Sequence, residues 1–442
     1  MRKNPFVKIS TLKGSFEIVI RNFWEILSTI YYRYLPEKIR NMVSQKGEII
    51  YSRIARMLFL ISQLRLDFYL IEGIVREGES KLISLYIGEE ETLPFFCSMT
   101  YKETPKINKM GRIFLWDISR KIKLNSPSVD LALVLANKFF IRFLIDQGYF
   151  IIPKWVTQKL DISKPLEEVW SNLSKNEKES LRKTKARIRK YGYSYEVSHN
   201  METLEYFYHK IYMPFTLERH GELSELASLS YMRRAFRRGG LLMVKEGDEY
   251  VAGLLFIIAR GETFHVFRWG VASGEEYLKR GVGGFLYYFS IMWAKQQGYK
   301  EVDFGGSRAF MDDGVFRYKK KWGATVSENN WLPSTFGLKL FKFNDGVRDF
   351  LSCNPFIFVN DGDLRGLVLV SQKDLLTQEQ LERLFQIYYV PSLKDLTVIS
   401  AAGFAEDAQN QVTERPEEKV RLVHWEADSS MVNCLNQMMS KG

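Results

Sequence analysis

Residues 277–325, YLKRGVGGFLYYFSIMWAKQQGYKEVDFGGSRAFMDDGVFRYKKKWGAT, decide how the rest of this chain is read. The run opens on a turn, Arg280-Gly281-Val282-Gly283-Gly284. Glycines let backbone N–H groups converge without side chains in the way, and a helix starting there adds the positive end of its dipole. Such a nest suits a pyrophosphate, with Arg280 as a charged fork beside it. From Phe285 to Trp293 almost every residue is apolar or aromatic, which predicts a helix covered on several sides. Gly298 then suits the left-handed position past the helix end, and 299–304 follows as a strand. Asp312 or Asp313 caps a last, basic helix carrying Lys319, Lys320 and Lys321, whose apolar side is Val315, Phe316 and Trp322.

In this order of elements the chain resembles the GNAT acyltransferase superfamily, whose acyl-CoA pyrophosphate loop is an R-x-x-G turn opening a helix. The segment VDFGGSR…GVFRYKKKWGA is similar to the Fem-type branch. That branch comprises the aminoacyl-tRNA-dependent peptidoglycan peptidyltransferases and their GNAT-like relatives. Its D-F-G-x-S and (F/Y)-K-x-x-W-G elements correspond to Asp303-Phe304-Gly305-Gly306-Ser307 and Tyr318-Lys319-Lys320-Lys321-Trp322-Gly323. The resemblance reaches back to about residue 166, and it departs at Phe285, where the family's loop closes with a small residue. It implies acyl-CoA as donor on Arg280, Gly281, Val282, Gly283 and Gly284, an amine as acceptor, and Lys319 as the lysine that holds the donor or the developing charge.

At 442 residues the chain is long enough for two or three domains. With 46% apolar and 26% charged residues it is globular. A net charge of +11 favours an anionic partner such as CoA, RNA or a membrane surface, or else describes only a solvated exterior. Cys97, Cys353 and Cys434 match no metal or redox spacing, so no metal is expected and a reducing compartment fits. The basic start lacks the apolar core of a secretory signal, and charges interrupt every apolar run before it could span a bilayer. A cytoplasmic protein is expected, at most peripheral to the inner face of the membrane.

The expected fold class is α/β (α+β), with two tandem GNAT-like domains built on mixed, mostly antiparallel sheets flanked by helices. A helical segment at 1–45, including an amphipathic helix at 16–35, precedes a degenerate GNAT-like domain at 46–160. The acyltransferase domain follows at 161–340, and an α/β appendage at 341–442 closes the chain. An internal echo supports the tandem reading. FLIDQGYFII lines up with MWAKQQGYKEV, with Gly148 on Gly298 and Tyr149 on Tyr299. This register sets Asp130 on Arg280, Leu131 on Gly281 and Leu133 on Gly283, so an acid and bulky side chains replace the phosphate cradle. It also predicts a helix over 129–147.

The helix expected at 166–191 gathers Arg182, Lys183, Lys185, Arg187, Arg189 and Lys190, followed by Tyr191, Tyr193 and Tyr195. It reads either as a solvated helix end or as a substrate-phosphate or RNA contact. LLMVKEG, YVAGLLFIIA and TFHVFRWGV form a meander leading into the glycine turn.

Acyl transfer to an amine needs a grip on the donor, a base for the amine and a donor to the oxyanion. Asp303 is the candidate base, or else only the cap of the glycine loop that follows it. His265, alternating in a strand, reads as a packed histidine. Lys319 is the candidate for the oxyanion. Arg268, Ser307 and Arg308 form the candidate substrate-binding set, Arg308 suiting a phosphate or carboxylate of the acceptor. The sequence thus favours transfer of an acyl group from acyl-CoA to an amine, on a cell-envelope or polysaccharide precursor. Aminoacyl-tRNA is the alternative donor, and a non-catalytic scaffold for RNA or another polyanion is the rival from a different class.

Overall fold

The computed structural model describes residues 65–137, 140–220, 226–259, 261–272, 275–328, 334–372, 374–406, 408 and 420–424. The helix expected at 16–35 lies outside the described residues, as do a strand that the sequence predicts at 49–51, most of a polar, linker-like stretch that it predicts at 403–418 and a short helix that it predicts at the C-terminus.

Seventeen strands are described. The first half supplies β1 (Arg65–Ile74), β2 (Lys81–Gly88), β3 (Lys106–Phe114), β4 (Leu131–Asn137), β5 (Phe150–Pro153) and β6 (Val156–Asp161). The middle of the chain supplies β7 (Tyr193–Ser198), β8 (Gly239–Glu246), β9 (Glu249–Ala259), β10 (Thr263–Val271), β11 (Glu301–Ser307), β12 (Thr325–Glu328) and β13 (Ser334–Leu340). The last stretch adds β14 (Phe356–Asn360), β15 (Asp363–Val370), β16 (Leu396–Ser400) and β17 (Val420–His424). They build two mixed sheets with helices packed on them. One has the order β17-β16-β15-β14-β5-β13-β4-β2-β1-β3, the other β12-β6-β11-β10-β9-β8-β7.

In the second sheet β7 to β10 form an antiparallel meander, and β11 then runs parallel to β10. The sequence explains the centre of this sheet. β9 is nearly continuous in apolar residues and is buried from Val251 to Ile257, as a strand covered on both faces must be. Gly247, at φ 62°, supplies the left-handed residue of the β8–β9 turn.

The parallel ladder between β10 and β11 is short. It holds only Thr263 opposite Glu301, Phe264 opposite Val302 and His265 opposite Asp303. Beyond that the two strands part. β10 carries a bulge between Val266 and Arg268, and β11 has its own irregularity between Asp303 and Gly306. Each bulge turns its strand and leaves local backbone groups out of the ladder.

The sheets exchange strands. β6 leaves the first half to lie between β11 and β12 of the second sheet. β13 leaves the second half to lie between β4 and β5 of the first. β14 to β17 then extend that first sheet from β5 outward. Hydrogen bonding therefore crosses the sequence boundaries near 160 and 340, and the 341–442 stretch joins the first sheet as its continuation. The alternation in VTQKLD, with Val156, Gln158 and Leu160 buried, marks a strand but not the sheet it enters.

The echo between the halves holds at one end and fails at the other. Gly148 and Gly298 are both left-handed, at φ 74° and 80°. Tyr149 N–H donates to Leu144 O at 3.0 Å, and Tyr299 N–H donates to Ala294 O at 3.0 Å. Upstream, however, 131–137 is the strand β4 and the helix is only Ile141–Asp146, which corrects the helix expected over 129–147. β-Branched and leucine residues in LALVLAN suit a buried strand as well as a helix. Asp130 and Leu131 thus do not stand at a helix start. Asp130 instead accepts from Ile83 N–H at 2.8 Å and from Asn344 Nδ2 at 2.9 Å, tying β2 to the chain after β13.

Candidate functional site

The glycine turn folds as its composition requires. Gly281, at φ 94°, is the N-cap of the Val282–Gln296 helix, and a side chain there would be strained. The helix buries Val282, Phe285, Leu286, Tyr287, Phe289 and Ile291. Burying such side chains stabilises the domain by roughly 1.5–3 kcal/mol each. Phe285, the departure from the family's small residue, is fully buried with its ring 4.8 Å from that of Tyr193. It points into the core, with Cε1 4.0 Å from where a Cβ on Gly281 would stand.

Around the helix start, Gly283 and Gly284 face the Tyr318 hydroxyl, which would stand 3.5 and 3.7 Å from a Cβ at either position. Trp269 of β10 lies 3.9 Å from the same point at Gly283. Thr184 and Arg187, from the Lys175–Tyr191 helix, flank Gly284 and Gly281 respectively. The Tyr318 hydroxyl is buried and has no hydrogen-bond partner among the described residues. Arg280 does not join this group. Its guanidinium pairs with Glu246 at 3.0 Å and with Glu276, and lies over the rings of Tyr191 and Tyr277. The fork expected of Arg280 is thus already taken by two carboxylates. The sequence does not show this, because Glu246 stands far back in the meander.

The other end of β10 holds a compact polar cluster. His265 Nδ1 lies 3.1 Å from Asp303 Oδ2. Asp303 Oδ1 accepts from Gly305 N–H at 2.7 Å, so the residue caps the glycine loop and orients the imidazole at once. Burial works to raise the Asp303 carboxyl, but His265 and the Gly305 N–H outweigh it and hold the group below the usual carboxylate range. The reading of His265 as a merely packed side chain missed this pairing. Only the parallel register of β10 on β11 brings the two residues together.

Lys319 reaches the same loop from the Gly314–Lys320 helix, which Asp313 caps through Val315 N–H at 2.9 Å and Phe316 N–H at 3.0 Å. Lys319 is 5% exposed, and its Nζ donates to Gly305 O at 3.1 Å and Gly306 O at 2.7 Å. An ammonium has three N–H groups, so one is left over. Burial pushes the amine down to about 8, against the opposing pull of Asp303 and Asp313.

The three substrate-side candidates separate. Ser307 is buried, donates to the Gln158 side-chain oxygen, and so locks β11 to β6. Gln158 in turn donates to Phe316 O at 3.2 Å. This corrects the reading of Ser307 as a substrate contact, since its hydroxyl faces the neighbouring strand. Arg268 donates to Phe267 O at 2.8 Å beside the bulge and lies over the Phe267 ring at 4.8 Å. Arg308 is sandwiched between Phe95 and Trp155, its guanidinium 4.2 and 4.1 Å from the ring centres. Its Nη1 is buried without a partner among the described residues, and burial lowers its pKa. Neither Asp312 nor Asp313 pairs with it among the described residues. Asp312 instead accepts from Tyr388 at 3.1 Å.

The basic helix is partly neutralised. Arg182 makes two hydrogen bonds to Glu179, at 2.7 and 2.8 Å, and Lys183 also approaches Glu179. Lys185 lies 4.5 Å over Trp170.

β10 therefore runs from the His265–Asp303 pair, past a bulge, to Trp269 beside the glycine-led helix start. The parallel pairing of β10 with β11 ends at the start of that path. Strands parted there would admit a thin chain, with its anionic end on the helix N-terminus and its other end by the His265–Asp303 pair.

Residues 175–320 match the family model described as "Acetyltransferase (GNAT) domain". This part of the chain is a GNAT-type domain. No curated protein matches the chain. Among solved structures the chain is similar to FemX at 15% identity, covering 60% of this chain and 83% of that one with a TM-score of 0.32. It is similar to a GCN5-related N-acetyltransferase from Sphaerobacter thermophilus at 12% identity, with 59% and 73% covered and a TM-score of 0.29. A tandem GNAT protein from the clavulanic acid biosynthesis pathway is similar at 11% identity, with 60% and 79% covered and a TM-score of 0.27.

Proposed function

We propose that the GNAT-type domain at 175–320 is an N-acyltransferase that moves an acyl group from acyl-CoA to an amine in the gap between β10 and β11. The observation that carries this reading is the parting of β10 from β11 directly after the His265–Asp303 pair, with a glycine-led helix start beside β10 farther on. The thioester carbonyl lies beside the bulge of β10. His265, oriented through Nδ1 by Asp303, takes the proton of the attacking amine on its other ring nitrogen. The free N–H of Lys319 meets the oxyanion of the tetrahedral intermediate. The thiolate then leaves with a proton returned to it.

The acceptor enters from the Arg308 side, where a cation held between two rings favours an anionic precursor such as a sugar phosphate or an envelope building block. Aminoacyl-tRNA is the second reading of the donor. The Tyr318-Lys319…Trp322-Gly323 motif favours it, while the pairing of Arg182 and Lys183 with Glu179 weakens the case for the basic helix as its RNA contact.

Release of free thiol from acetyl-CoA and longer acyl-CoAs, followed across a panel of amines, tests the proposal. Amine-dependent thiol release is expected. No release with any amine, together with transfer from a charged tRNA, would move the protein to the second reading. Neither reaction would favour the non-catalytic scaffold.

A further inference from the structure

Arg308 stands just past the end of β11, two residues beyond the Gly306 carbonyl that holds Lys319 at 2.7 Å. Separate segments build its surroundings. The antiparallel register of β6 on β11, with Val156 opposite Ser307, brings Trp155 beside it. The Leu93–Thr100 helix supplies Phe95. The two rings do not pack on each other among the described residues, so they cover different sides of the guanidinium and leave its edge. Nη1 is buried there with no acceptor among the described residues. Burial disfavours the charged form, and Asp313 and Tyr86 offset this electrostatically only in part. The cation next along the chain from Trp155, Lys154, is by contrast already paired with Glu89 at 3.2 Å.

A guanidinium taken out of water without a counter-charge costs free energy that a bound anion would recover. What the two rings leave open to that anion is the guanidinium's own plane. A carboxylate is flat and meets the fork edge to edge, through two parallel N–H···O bonds. A phosphate carries further oxygens above and below that plane, where the negative ring faces of Phe95 and Trp155 repel them. We infer that Arg308, held flat by Phe95 and Trp155, binds a free carboxylate of the acceptor, which is therefore of the amino-acid or peptide class, with an amine at one end and a carboxylate at the other. The inference rests on the reading of the His265–Asp303 region as the site of acyl transfer, and it narrows the acceptor's anion to a carboxylate.

The test follows release of free thiol from acetyl-CoA by the full chain across matched acceptors. These are glycine, L-lysine and alanyl peptides of increasing length, each beside its amide and its phosphonate analogue. The best-used acid should exceed its amide about 10- to 100-fold in kcat/KM, the size of a charge-assisted contact, with the difference carried by KM. The phosphonate analogue should be used no better than the amide. Arg308→Gln should abolish the preference for acid over amide, whereas a merely structural role would slow both alike. Arg308→Lys should recover little of it, since an ammonium lacks the flat fork. Equal use of acid and amide by the parent, or a preference for the phosphonate, overturns the carboxylate assignment whether or not the variants fold, and leaves the transfer reading standing. A preference that survives in folded Arg308→Gln overturns the role of Arg308. No thiol release with any amine overturns the transfer reading and this inference with it.

Discussion

His265 and Asp303 stand opposite each other in the last rung of the parallel β10–β11 ladder, with Nδ1 3.1 Å from Oδ2. The next residues of both strands are bulged and diverge. The pair is thereby fixed by regular sheet on one side, and the parallel ladder stops on the other. A rigid ladder gives the imidazole a defined orientation, which a base on a loop would lack.

If His265 is the base, His265→Gln should lower kcat by about two to four powers of ten. Asp303→Asn should act through the same imidazole, so the double variant should be little slower than the slower single one. Steady-state rates on one amine, with unfolding midpoints recorded for each variant, decide it. Multiplying effects in the double variant would assign the two residues separate roles.

Lys319 gives a prediction in which activity and stability move in opposite directions. If the charged form is the oxyanion donor, kcat should fall as pH rises through about 8. The unfolded chain keeps its lysine proton to near the ordinary 10.5 and the folded chain releases it near 8, so stability gained from this group should rise across that window. Lys321 titrates in the same window with the same sign, and comparison of the parent with Lys319→Met isolates the first lysine. Lys319→Ala should also lower kcat about 10²- to 10³-fold with a smaller change in donor affinity. A pH–rate profile that keeps rising through pH 9 contradicts the oxyanion role.

Much of this arrangement was legible in the sequence and some of it was not, for reasons that separate cleanly. The glycine turn, the buried helix behind it, the Gly298 stop and the Asp313 cap are local features, written in adjacent residues. The GNAT resemblance rested on them, and the family match over 175–320 agrees with it. What the sequence hid depends on pairing between distant strands. Ser307 looked like a substrate contact until β6 brought Gln158 against it. Arg280 looked like a phosphate fork until β8 brought Glu246 to it. His265 looked merely packed until β11 set Asp303 beside it. The misplaced helix at 129–147 has another origin. A run such as LALVLAN carries no period that separates a buried strand from a buried helix.

The strand exchange makes the two sheets mutually dependent. Gln158→Leu would leave the Ser307 hydroxyl unpaired in the interior, at a cost of about 1–3 kcal/mol. A lower denaturant midpoint with a single transition is expected. A fragment beginning at residue 162 should not fold, because β11 would lose β6 along its length. A monomeric, cooperatively unfolding fragment would show the second sheet to be autonomous.

β13 also bears on why the proposed site falls in one half of the chain. In the first sheet it pairs with both β4 and β5, whereas among the described residues the β10–β11 pairing stops at His265. One acyl-CoA per chain is therefore expected, and a stoichiometry of two would require a second cradle that this packing excludes.

The most direct test of the central claim is calorimetric titration of acetyl-CoA into the parent and into Gly283→Glu. The substitution puts a carboxylate and its bulk at the helix start, where a Cβ would already touch the Tyr318 hydroxyl and the Trp269 ring. The parent should bind one acetyl-CoA, and Gly283→Glu should show no binding with an unfolding midpoint within a few degrees of the parent's. Undiminished binding by a folded Gly283→Glu would contradict a donor site on this turn.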